Sequence, residues 1–292
     1  MATAKKRKGG FPAQSQEGQP GDEHRMFPQP EYIRDGYVGA NRLDCKHCLI
    51  SGADSGIGRA VAVHFAAEGA ATIGIVCLPA EHKDAETTRE LVASYGARAV
   101  LLEGDVTEPQ FPRDAVRRFA KETAGTIDVL VNNAAAQWPQ EEIEQVTFEQ
   151  LDRTFRTNFY SYFLFSQAAL EHMPEGASIV NTTSVTAYRG SERLLDYSAT
   201  KGAIVAFTRS LSQSLVKQQI RVNGVAPGPI WTPLIPASFD AEHVASFGTN
   251  TPMERAGQPS EVAPCYVFLA SADASYMTGQ ILHPNGGDFI ST

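Results

Sequence analysis

The chain has 292 residues, of which 42% are hydrophobic and 20% charged, and its formal net charge is −8. This composition predicts a globular protein with a full core and excludes wholesale disorder. The acidic balance argues against a nucleic-acid partner, and no apolar run has the length of a membrane helix. We expect a cytoplasmic protein, because no apolar signal segment follows the basic residues at the N-terminus.

Residues 1–41 differ in composition from the rest of the chain. They are rich in Gly, Pro and Gln and carry few large apolar side chains. Such a segment buries too little surface to fold alone, so we expect either a flexible tail or an extended arm on the main domain. The basic run Lys5–Lys8 resembles a nuclear-localisation patch, but a solvated terminus is the better interpretation of four residues.

From Leu49 onward, short apolar runs alternate with segments of helical period. The apolar runs predict strands near 48–50, 72–78, 98–103, 127–131, 177–181, 220–225 and 280–282. The helical segments fall near 57–68, 83–95, 112–123, 147–172, 197–218 and 260–270. This alternation predicts an α/β fold, a doubly wound parallel sheet of about seven strands (Rossmann fold) forming one domain over 42–292.

The four cysteines predict no metal site. Cys45 and Cys48 have the spacing of a redox pair or of half a zinc site, but Cys77 and Cys265 stand alone. A tetrahedral zinc site would need a second pair. Cys48 also opens the first predicted strand, where a free thiol behaves as a small hydrophobe.

A glycine-rich loop joins the first predicted strand to the first predicted helix. Within Ser51–Arg59 the glycines Gly52, Gly56 and Gly58 have the spacing Gly-x-x-x-Gly-x-Gly. They allow a tight turn and close approach of the backbone to a pyrophosphate, which the N–H groups of the helix N-terminus attract. An ordinary glycine turn is the alternative, and the strand-to-helix position favours the phosphate loop.

A second motif places a phenol and an ammonium group together. Tyr197 and Lys201 are spaced i, i+4 and therefore share one face of a helix. A nearby cation favours the phenolate, so we expect Lys201 to lower the pKa of Tyr197 and make it a usable acid or base. Alone, this spacing is common in surface pairs. Here Ser184 follows the strand predicted at 177–181, and Asn158 lies within a long predicted helix.

Three further motifs follow the ends of predicted strands: Asp105-Val106, Asn132–Ala135 and Pro227–Thr232. In order and spacing, all these motifs together resemble those of the short-chain dehydrogenase/reductase family, across 48–292. Two positions depart from the family pattern. Ser51 replaces Thr and keeps the hydroxyl, and Ala135 replaces Gly and crowds the backbone beside the cofactor.

The N-terminal segment adds a narrower resemblance. The sequence at 16–24 and the phosphate loop that follows resemble the subgroup of NADPH-dependent aldehyde reductases and glucose/ribitol dehydrogenase homologues. The resemblance implies an oxidoreductase that transfers a hydride between NAD(P)(H) and a carbonyl or alcohol substrate, such as an aldehyde, a ketone or a sugar alcohol.

The family resemblance also implies a role for each catalytic residue. Tyr197 would be the general acid in reduction and the base in oxidation, and Lys201 would hydrogen-bond the nicotinamide ribose. Ser184 would donate to the substrate oxygen, and Asn158 would hold a water that connects Lys201 to solvent. The implied cofactor-binding residues are Gly52, Ser55, Gly56, Ile57, Asp105, Val106, Asn133, Tyr197, Lys201, Pro227, Ile230 and Thr232.

Two other functions stay open. The first is a nucleotide-binding regulator with a silent site, which is disfavoured because all four catalytic positions are filled. The second is a sugar-nucleotide epimerase or dehydratase, which can share the Tyr-x-x-x-Lys motif. Its phosphate loop usually has a different glycine spacing, and it needs a larger substrate lobe than the residues after Thr232 supply.

The cofactor preference depends on charge near the end of the second strand, which ends without an acid to accept from a ribose 2′-hydroxyl. Arg59, His82 and Lys83 are close enough in sequence to supply positive charge. We therefore predict NADP(H), with NAD(H) possible. The alternative is that Glu81 or Asp84 folds back to serve as the missing acceptor.

The substrate pocket is expected from three segments: Gln137 and Trp138, residues 188–195, and residues 234–253. Their mixed polarity is compatible with a sugar, a small aldehyde or a keto ester. Trp138 and Trp231 could equally be packing residues. We also expect a homotetramer, because the helices predicted at 147–172 and 197–218 commonly form the dimer face in this family.

Overall fold

The computed structural model describes residues 9–290, so Lys5–Lys8 lies outside the described residues. Over this range the chain forms a seven-stranded sheet in which every neighbouring pair of strands is parallel. The strands are β1 His47–Ser51, β2 Thr72–Cys77, β3 Arg98–Glu103, β4 Val129–Asn132, β5 Ser178–Thr182, β6 Arg221–Val225 and β7 Ile281–Leu282. The predicted fold class is therefore confirmed, and each strand begins within two residues of the predicted run.

The strand order in the sheet is β3-β2-β1-β4-β5-β6-β7. The order reverses direction between β1 and β4, which is the topological switch point of a doubly wound sheet. Crevices for ligands form outside the carboxyl ends of the strands at such a point. The residues that follow β1 and β4 are therefore placed beside a binding cleft by topology alone.

Helices cover both faces of this sheet. They are α1 Gly56–Ala67, α2 His82–Ser94, α3 Phe111–Glu122, α4 Phe148–Phe155, α5 Ser161–Ala169, α6 Thr186–Arg189, α7 Leu195–Leu215, α8 Ala241–Ser246 and α9 Pro259–Ala270. None of the helices within residues 9–290 combines the length and apolar character needed to cross a membrane.

The core lies in two layers, one on each face of the sheet. One layer joins β1 and β2 to α1 and α9 through side chains such as Phe65 and Tyr266, and the other joins β4 and β5 to α3 and α5 through Phe119 and Phe165. All four aromatic side chains are fully buried. Burial of such a side chain stabilises the fold by roughly 1.5–3 kcal/mol, so the sheet is a rigid platform for the loops at its carboxyl edge.

The long helix predicted over 147–172 is interrupted, which corrects the prediction. Between α4 and α5 the residues Arg156–Tyr160 form a turn of π-helix. Insertions of this kind occur mostly at functional sites, where one extra residue per turn redirects a side chain. Here the redirected side chain is that of Asn158, which is fully buried.

Residues 9–46 run as an extended segment across the domain, with one 3₁₀ turn at Glu23–Arg25. The ring of Phe11 stacks on Trp231 with 3.7 Å between centroids, and Met26 is buried in the same apolar cluster. Trp231 is itself fully buried, so it is a packing residue that seats this segment and not a substrate contact.

Candidate active site

The loop between β1 and α1 requires glycine at its close contacts. Gly52 has φ of +64°, and a Cβ there would lie 2.9 Å from Ala134 Cα. A Cβ on Gly58 would lie 1.8 Å from the carbonyl oxygen of Gly52. The loop therefore packs against both the helix and the segment after β4, and its backbone is open to a close-lying phosphate group.

The carboxyl edge of the sheet opens into a cavity of about 620 Å³. Twelve predicted cofactor-binding residues and Ser184 line it: Gly52, Ser55, Gly56, Ile57, Asp105, Val106, Asn133, Ser184, Tyr197, Lys201, Pro227, Ile230 and Thr232. One cavity thus joins the glycine loop to Ser184, Tyr197 and Lys201. Of the predicted catalytic residues only Asn158 lies behind its wall.

Ser51 and Asn133 fasten the loop after β4 to the glycine loop. The Ser51 hydroxyl accepts hydrogen bonds from the backbone N–H groups of Asn133 and Ala134, at 2.9 and 3.1 Å. The Asn133 side chain donates in turn to the carbonyl oxygens of Ser51 and Gly52. The departure from Thr to Ser at this position therefore keeps the group that the structure uses.

Tyr197 and Lys201 lie on the first turns of α7, with their side chains directed into the cavity wall. The Lys201 ammonium donates to the carbonyl oxygen of Thr182 at 3.0 Å and lies 5.3 Å from the centroid of the Tyr197 ring. Ser184, which follows β5, hydrogen-bonds Tyr197. Tyr197 is 9% exposed and Lys201 is 1% exposed, so both titrating groups are largely screened from water.

Burial governs the protonation of both groups. It raises the pKa of Tyr197 to about 12, although the hydrogen bond with Ser184 lowers that pKa in part. It also lowers the pKa of Lys201 to about 7, because a buried ammonium group loses its hydration. The expected lowering of the Tyr197 pKa by Lys201 is therefore not found in this structure. Tyr197 is held as a neutral phenol, which is the form that can donate a proton.

The side chain of Asn158 hydrogen-bonds the backbone of the loop after β4. Its Oδ1 accepts from the N–H of Ala136 at 2.8 Å, and its Nδ2 donates to the carbonyl oxygen of Ala136 at 2.9 Å. Nδ2 also lies 3.2 Å from the Thr200 hydroxyl on α7. The polar atoms of the side chain are thus engaged in tying the loop after β4 to the helix that carries Tyr197.

The predicted cationic residues near β2 do not face the cavity, which corrects that part of the prediction. Arg59 is 4% exposed and forms ion pairs with Glu23 and, at 3.4 Å, with Asp84. His82 pairs with Glu103 on the surface. Neither these two side chains nor that of Lys83 lines the cavity. Arg59 turned inward because buried carboxylates and the Asp54 carbonyl oxygen surround it.

Glu81 is the acidic group that does fold back toward the end of β2. Its Oε2 accepts from the N–H of Leu78 at 2.9 Å, and it lines the cavity together with Cys77 and Asp54. Burial, and then the neighbouring Asp54, raise the pKa of Glu81 to about 9. Burial also raises the pKa of the neighbouring Asp54, so the two carboxyl groups do not both ionise readily at the end of β2.

The segment Gln19–Gly21 also lines the cavity, and sequence reasoning missed it. These residues lie in the segment 16–24 that resembles the aldehyde reductase subgroup, but the resemblance assigned them no place in the site, and the stretch has no periodicity. The expected substrate residues Gln137 and Trp138 line the same cavity. The N-terminal segment is therefore part of the wall of the site.

Comparison with known proteins gives relatives over the whole length of the domain. A family model described as enoyl-(acyl carrier protein) reductase matches residues 52–288. A carrot protein named glucose and ribitol dehydrogenase is 51% identical over 287 residues, 97% of this chain and 98% of the relative. An Arabidopsis thaliana protein named NADPH-dependent aldehyde reductase 1, chloroplastic, is 50% identical over 283 residues, 95% of this chain and 98% of the relative.

A solved structure shows the same architecture. A short-chain dehydrogenase from Burkholderia cenocepacia J2315, in complex with NADP, superposes with a TM-score of 0.79 at 30% identity. The match covers 85% of this chain and 99% of that protein.

Proposed function

The chain belongs to the short-chain dehydrogenase/reductase family and is an NAD(P)-dependent oxidoreductase, and from this premise we propose that it is an NADPH-dependent reductase of small aldehydes. The observation that carries the proposal is the single cavity that joins the glycine loop to Ser184 and Tyr197. A carbonyl held at Tyr197 lies in the same enclosed space as the loop that would hold a dinucleotide phosphate.

The proposed roles follow from the contacts. A nicotinamide dinucleotide held by the residues that line the cavity would supply the hydride. Ser184 donates a hydrogen bond to the substrate oxygen and orients it, and Tyr197 donates the proton that this oxygen gains. Lys201, with its lowered pKa, returns a proton toward the phenol. Asn158 is a positioning residue that fixes the loop after β4 relative to α7.

The residues present fit a dinucleotide. A Cβ at Gly52 would collide with Ala134 and a Cβ at Gly58 with the carbonyl oxygen of Gly52, so only glycine lets the loop fold this tightly at the cavity wall. Ser55, Gly56 and Ile57 present the N-terminus of α1 to the cavity, and the remaining predicted cofactor residues line its far side. We propose that these residues bind the dinucleotide.

NADP(H) is the proposed cofactor, and NAD(H) is a weaker one. The Arabidopsis relative is named for NADPH, and the Burkholderia structure is a complex with NADP. The raised pKa of Glu81 supports the same choice, because a shift toward the neutral form weakens the repulsion of a 2′-phosphate. Cys77, at the end of β2, adds no charge there, since burial raises the pKa of its thiol as well.

The substrate end of the cavity supports a small, partly polar carbonyl compound. Trp138 and Phe239 supply apolar wall, whereas Gln137, His243 and Asn250 supply hydrogen-bonding groups. Because the reaction is reversible, a polyol is the corresponding alcohol for the oxidative direction, as the name of the carrot relative suggests.

The test is oxidation of NADPH and of NADH by the purified protein with a panel of aldehydes, ketones and, in the reverse direction, polyols. We expect turnover of short aldehydes with a higher kcat/KM for NADPH. Turnover of polyols alone, or a tenfold preference for NADH, would contradict the proposal.

We also propose that the protein is a homotetramer whose catalytic unit is 42–292 and whose residues 1–41 form an arm; its cytoplasmic location stays a prediction. Apolar side chains are exposed on α4, on the π-helical turn and on α5: Phe148 at 75%, Tyr160 at 46% and Phe163 at 46%. These are the segments expected to form a dimer face. Light scattering should give about four times the chain mass of 31.6 kDa, and a monomer mass would contradict the proposal.

A further inference from the structure

The arm crosses the cavity rim beside the segment that follows β6. The N–H of Gln16 donates to the carbonyl oxygen of Pro236 at 2.7 Å. Gly21 packs so closely that a Cβ there would lie 2.5 Å from the carbonyl oxygen of Pro233. The arm therefore packs closely against the residues that close the substrate side of the cavity.

Between these two contacts, the side chain of Gln19 bridges two walls of the cavity. Its Nε2 donates to the Ser238 hydroxyl at 2.6 Å and to the carbonyl oxygen of Gln137. Its Oε1 accepts from the N–H of Gln137 at 3.2 Å. Every polar atom of the Gln19 amide is thus engaged with protein, so its role is to hold the walls and not to bind substrate.

One of these walls is the loop after β4, which is held from both sides. Asn158 binds the N–H and the carbonyl oxygen of Ala136 from the interior, while Gln19 binds the same two backbone groups of the next residue from the rim. Asn158 in turn contacts Thr200, three residues after Tyr197. A continuous set of hydrogen bonds therefore links Gln19 to the helix that carries the proton donor.

The other wall is the segment Leu234–Phe239. Ser238 donates its own hydroxyl proton to the carbonyl oxygen of Leu234 at 2.6 Å, which leaves its oxygen to accept from Gln19. Leu234, Ile235 and Phe239 line the cavity, and Ile235 also packs with Trp231 beneath the arm. The position of this wall is therefore set by the arm.

We propose that Gln19 determines substrate specificity by fixing the distance between these two walls, so that the site takes short-chain aldehydes and rejects bulky or branched ones. The inference rests on the proposed aldehyde reduction. It concerns a residue outside the region that the family model matches, which begins at residue 52. Fixing the walls before substrate arrives also removes an ordering cost from binding.

The test compares a short aldehyde, propanal, with a branched aromatic one, 2-phenylpropanal, in the full-length protein and in Gln19→Ala. We expect the ratio of their kcat/KM values to fall about fivefold or more, within the range over which apolar pockets discriminate. The change should come from a higher KM for propanal and a lower KM for the bulky aldehyde, with kcat for propanal within about twofold. An unchanged ratio, or an equal loss for both aldehydes, would overturn the proposal.

Gln14→Ala is the matched control, because among the described residues the Gln14 amide bonds only to the arm itself, at Pro12 and Phe27. It should leave the ratio unchanged, and an equal fall in this variant would also overturn the proposal. Ser238→Ala removes the same bridge from its other end and should give a similar fall. In the double variant the two effects should not add fully, because both single changes remove the same hydrogen bond between Gln19 and Ser238.

Hydrogen exchange separates a failure of the bridge from a failure of the proposed function. The Gln137 amide hydrogen is bound by Gln19, so its exchange should accelerate in Gln19→Ala and not in Gln14→Ala. If the wild type reduces no aldehyde, the proposed function fails, and unchanged exchange at Gln137 would show that the bridge fails too. Faster exchange without a change in the aldehyde ratio would overturn the specificity role alone.

Discussion

Two sides of one cavity are built in different ways. On the side of β5 and α7, Ser184, Tyr197 and Lys201 present groups that can move protons, and burial changes the pKa values of the tyrosine and the lysine. On the side of the arm, Gln19 is a neutral amide whose polar atoms are engaged with protein. We propose that the first side carries out proton transfer and that the second sets the shape of the cavity, so mutations on the two sides should affect different measured quantities.

The largest expected effect is that of Tyr197→Phe. Without the proton donor, kcat should fall about 10²–10⁴-fold, as for other acid–base groups. The dissociation constant for NADPH, measured by fluorescence titration, should change little. Tyr188→Phe is the matched control, because the buried Tyr188 hydroxyl has no hydrogen-bond partner within residues 9–290 and the residue does not line the cavity. Near-normal turnover of Tyr197→Phe would contradict the proposed role of Tyr197 as the proton donor.

Trp231→Ala should cost mainly stability. Trp231 stacks with Phe11, and its indole N–H donates to the carbonyl oxygen of Pro28 at 2.9 Å. Loss of this fully buried side chain should lower the free energy of unfolding by about 3–5 kcal/mol in urea titrations. Trp138→Ala is the control: Trp138 lines the cavity, with Arg153 4.6 Å above its ring, and its loss should raise KM with a smaller loss of stability. Equal losses of stability would contradict this distinction.

Glu23→Gln tests how the arm is joined to α1. The Glu23 carboxylate accepts from the N–H of Gly56 at 2.5 Å, pairs with Arg59, and has its pKa raised by burial to about 7 from an ordinary value of 4.5. A raised carboxyl pKa gives stability that is fully present below pH 4.5 and lost as the pH rises through 7. Glutamine resembles the neutral acid and cannot ionise.

We therefore expect Glu23→Gln to match the wild type in thermal denaturation at pH 5 and to become the more stable of the two by pH 8. The difference should reach at most about 3 kcal/mol, at 1.36 kcal/mol per pKa unit. Glu17→Gln, on an exposed part of the same arm, should show no such change with pH. A Gln variant that is less stable than the wild type at pH 8 would contradict this prediction. It would mean that ionised Glu23 stabilises the protein through Arg59.

The smallest expected effect is on cofactor preference. Cys77→Asp places a negative charge at the end of β2 and should shift the ratio of kcat/KM for NADPH over NADH toward NADH about tenfold, or 1.4 kcal/mol. Cys77→Ser is the control, since it is similar in size and carries no charge. A ratio equal to that of the wild type in both variants would place the determinant elsewhere in the cavity.

The fold and the chemical side of the site could be predicted because each depends on local pattern. Buried parallel strands are apolar runs, and the phosphate loop and the pair Tyr197 and Lys201 have fixed spacing. The π-helical turn at Asn158 could not be predicted, because it depends on a tertiary hydrogen bond to Ala136. Arg59 was misplaced for a similar reason: sequence proximity to β2 does not reveal the carboxylates that draw it inward.

The raised pKa of Tyr197 escaped prediction because spacing shows that Lys201 is near but not how deeply both groups are buried. The role of the arm in the cavity wall was even less predictable from the sequence. Gln19 has no periodicity, the resemblance at 16–24 gave it no role in the site, and its partners Gln137 and Ser238 lie far away in the chain. A glutamine in a Gly- and Pro-rich stretch acquires its role only when the segments on either side of it are seated.

The arm and the residues that it contacts are far apart in the chain. Gln19 and Ser238 are 219 residues apart, Pro28 and Trp231 are 203 apart, and Glu31 and Ser260 are 229 apart. The arm leaves the ribosome long before the residues that it packs against are synthesised, so it stays undocked until residues 231–260 have emerged. Closing so large a loop is slow, and only then is the rim of the cavity complete. Nascent chains should therefore gain protease resistance at the arm only once these residues have emerged, even where strands β1–β5 have already paired.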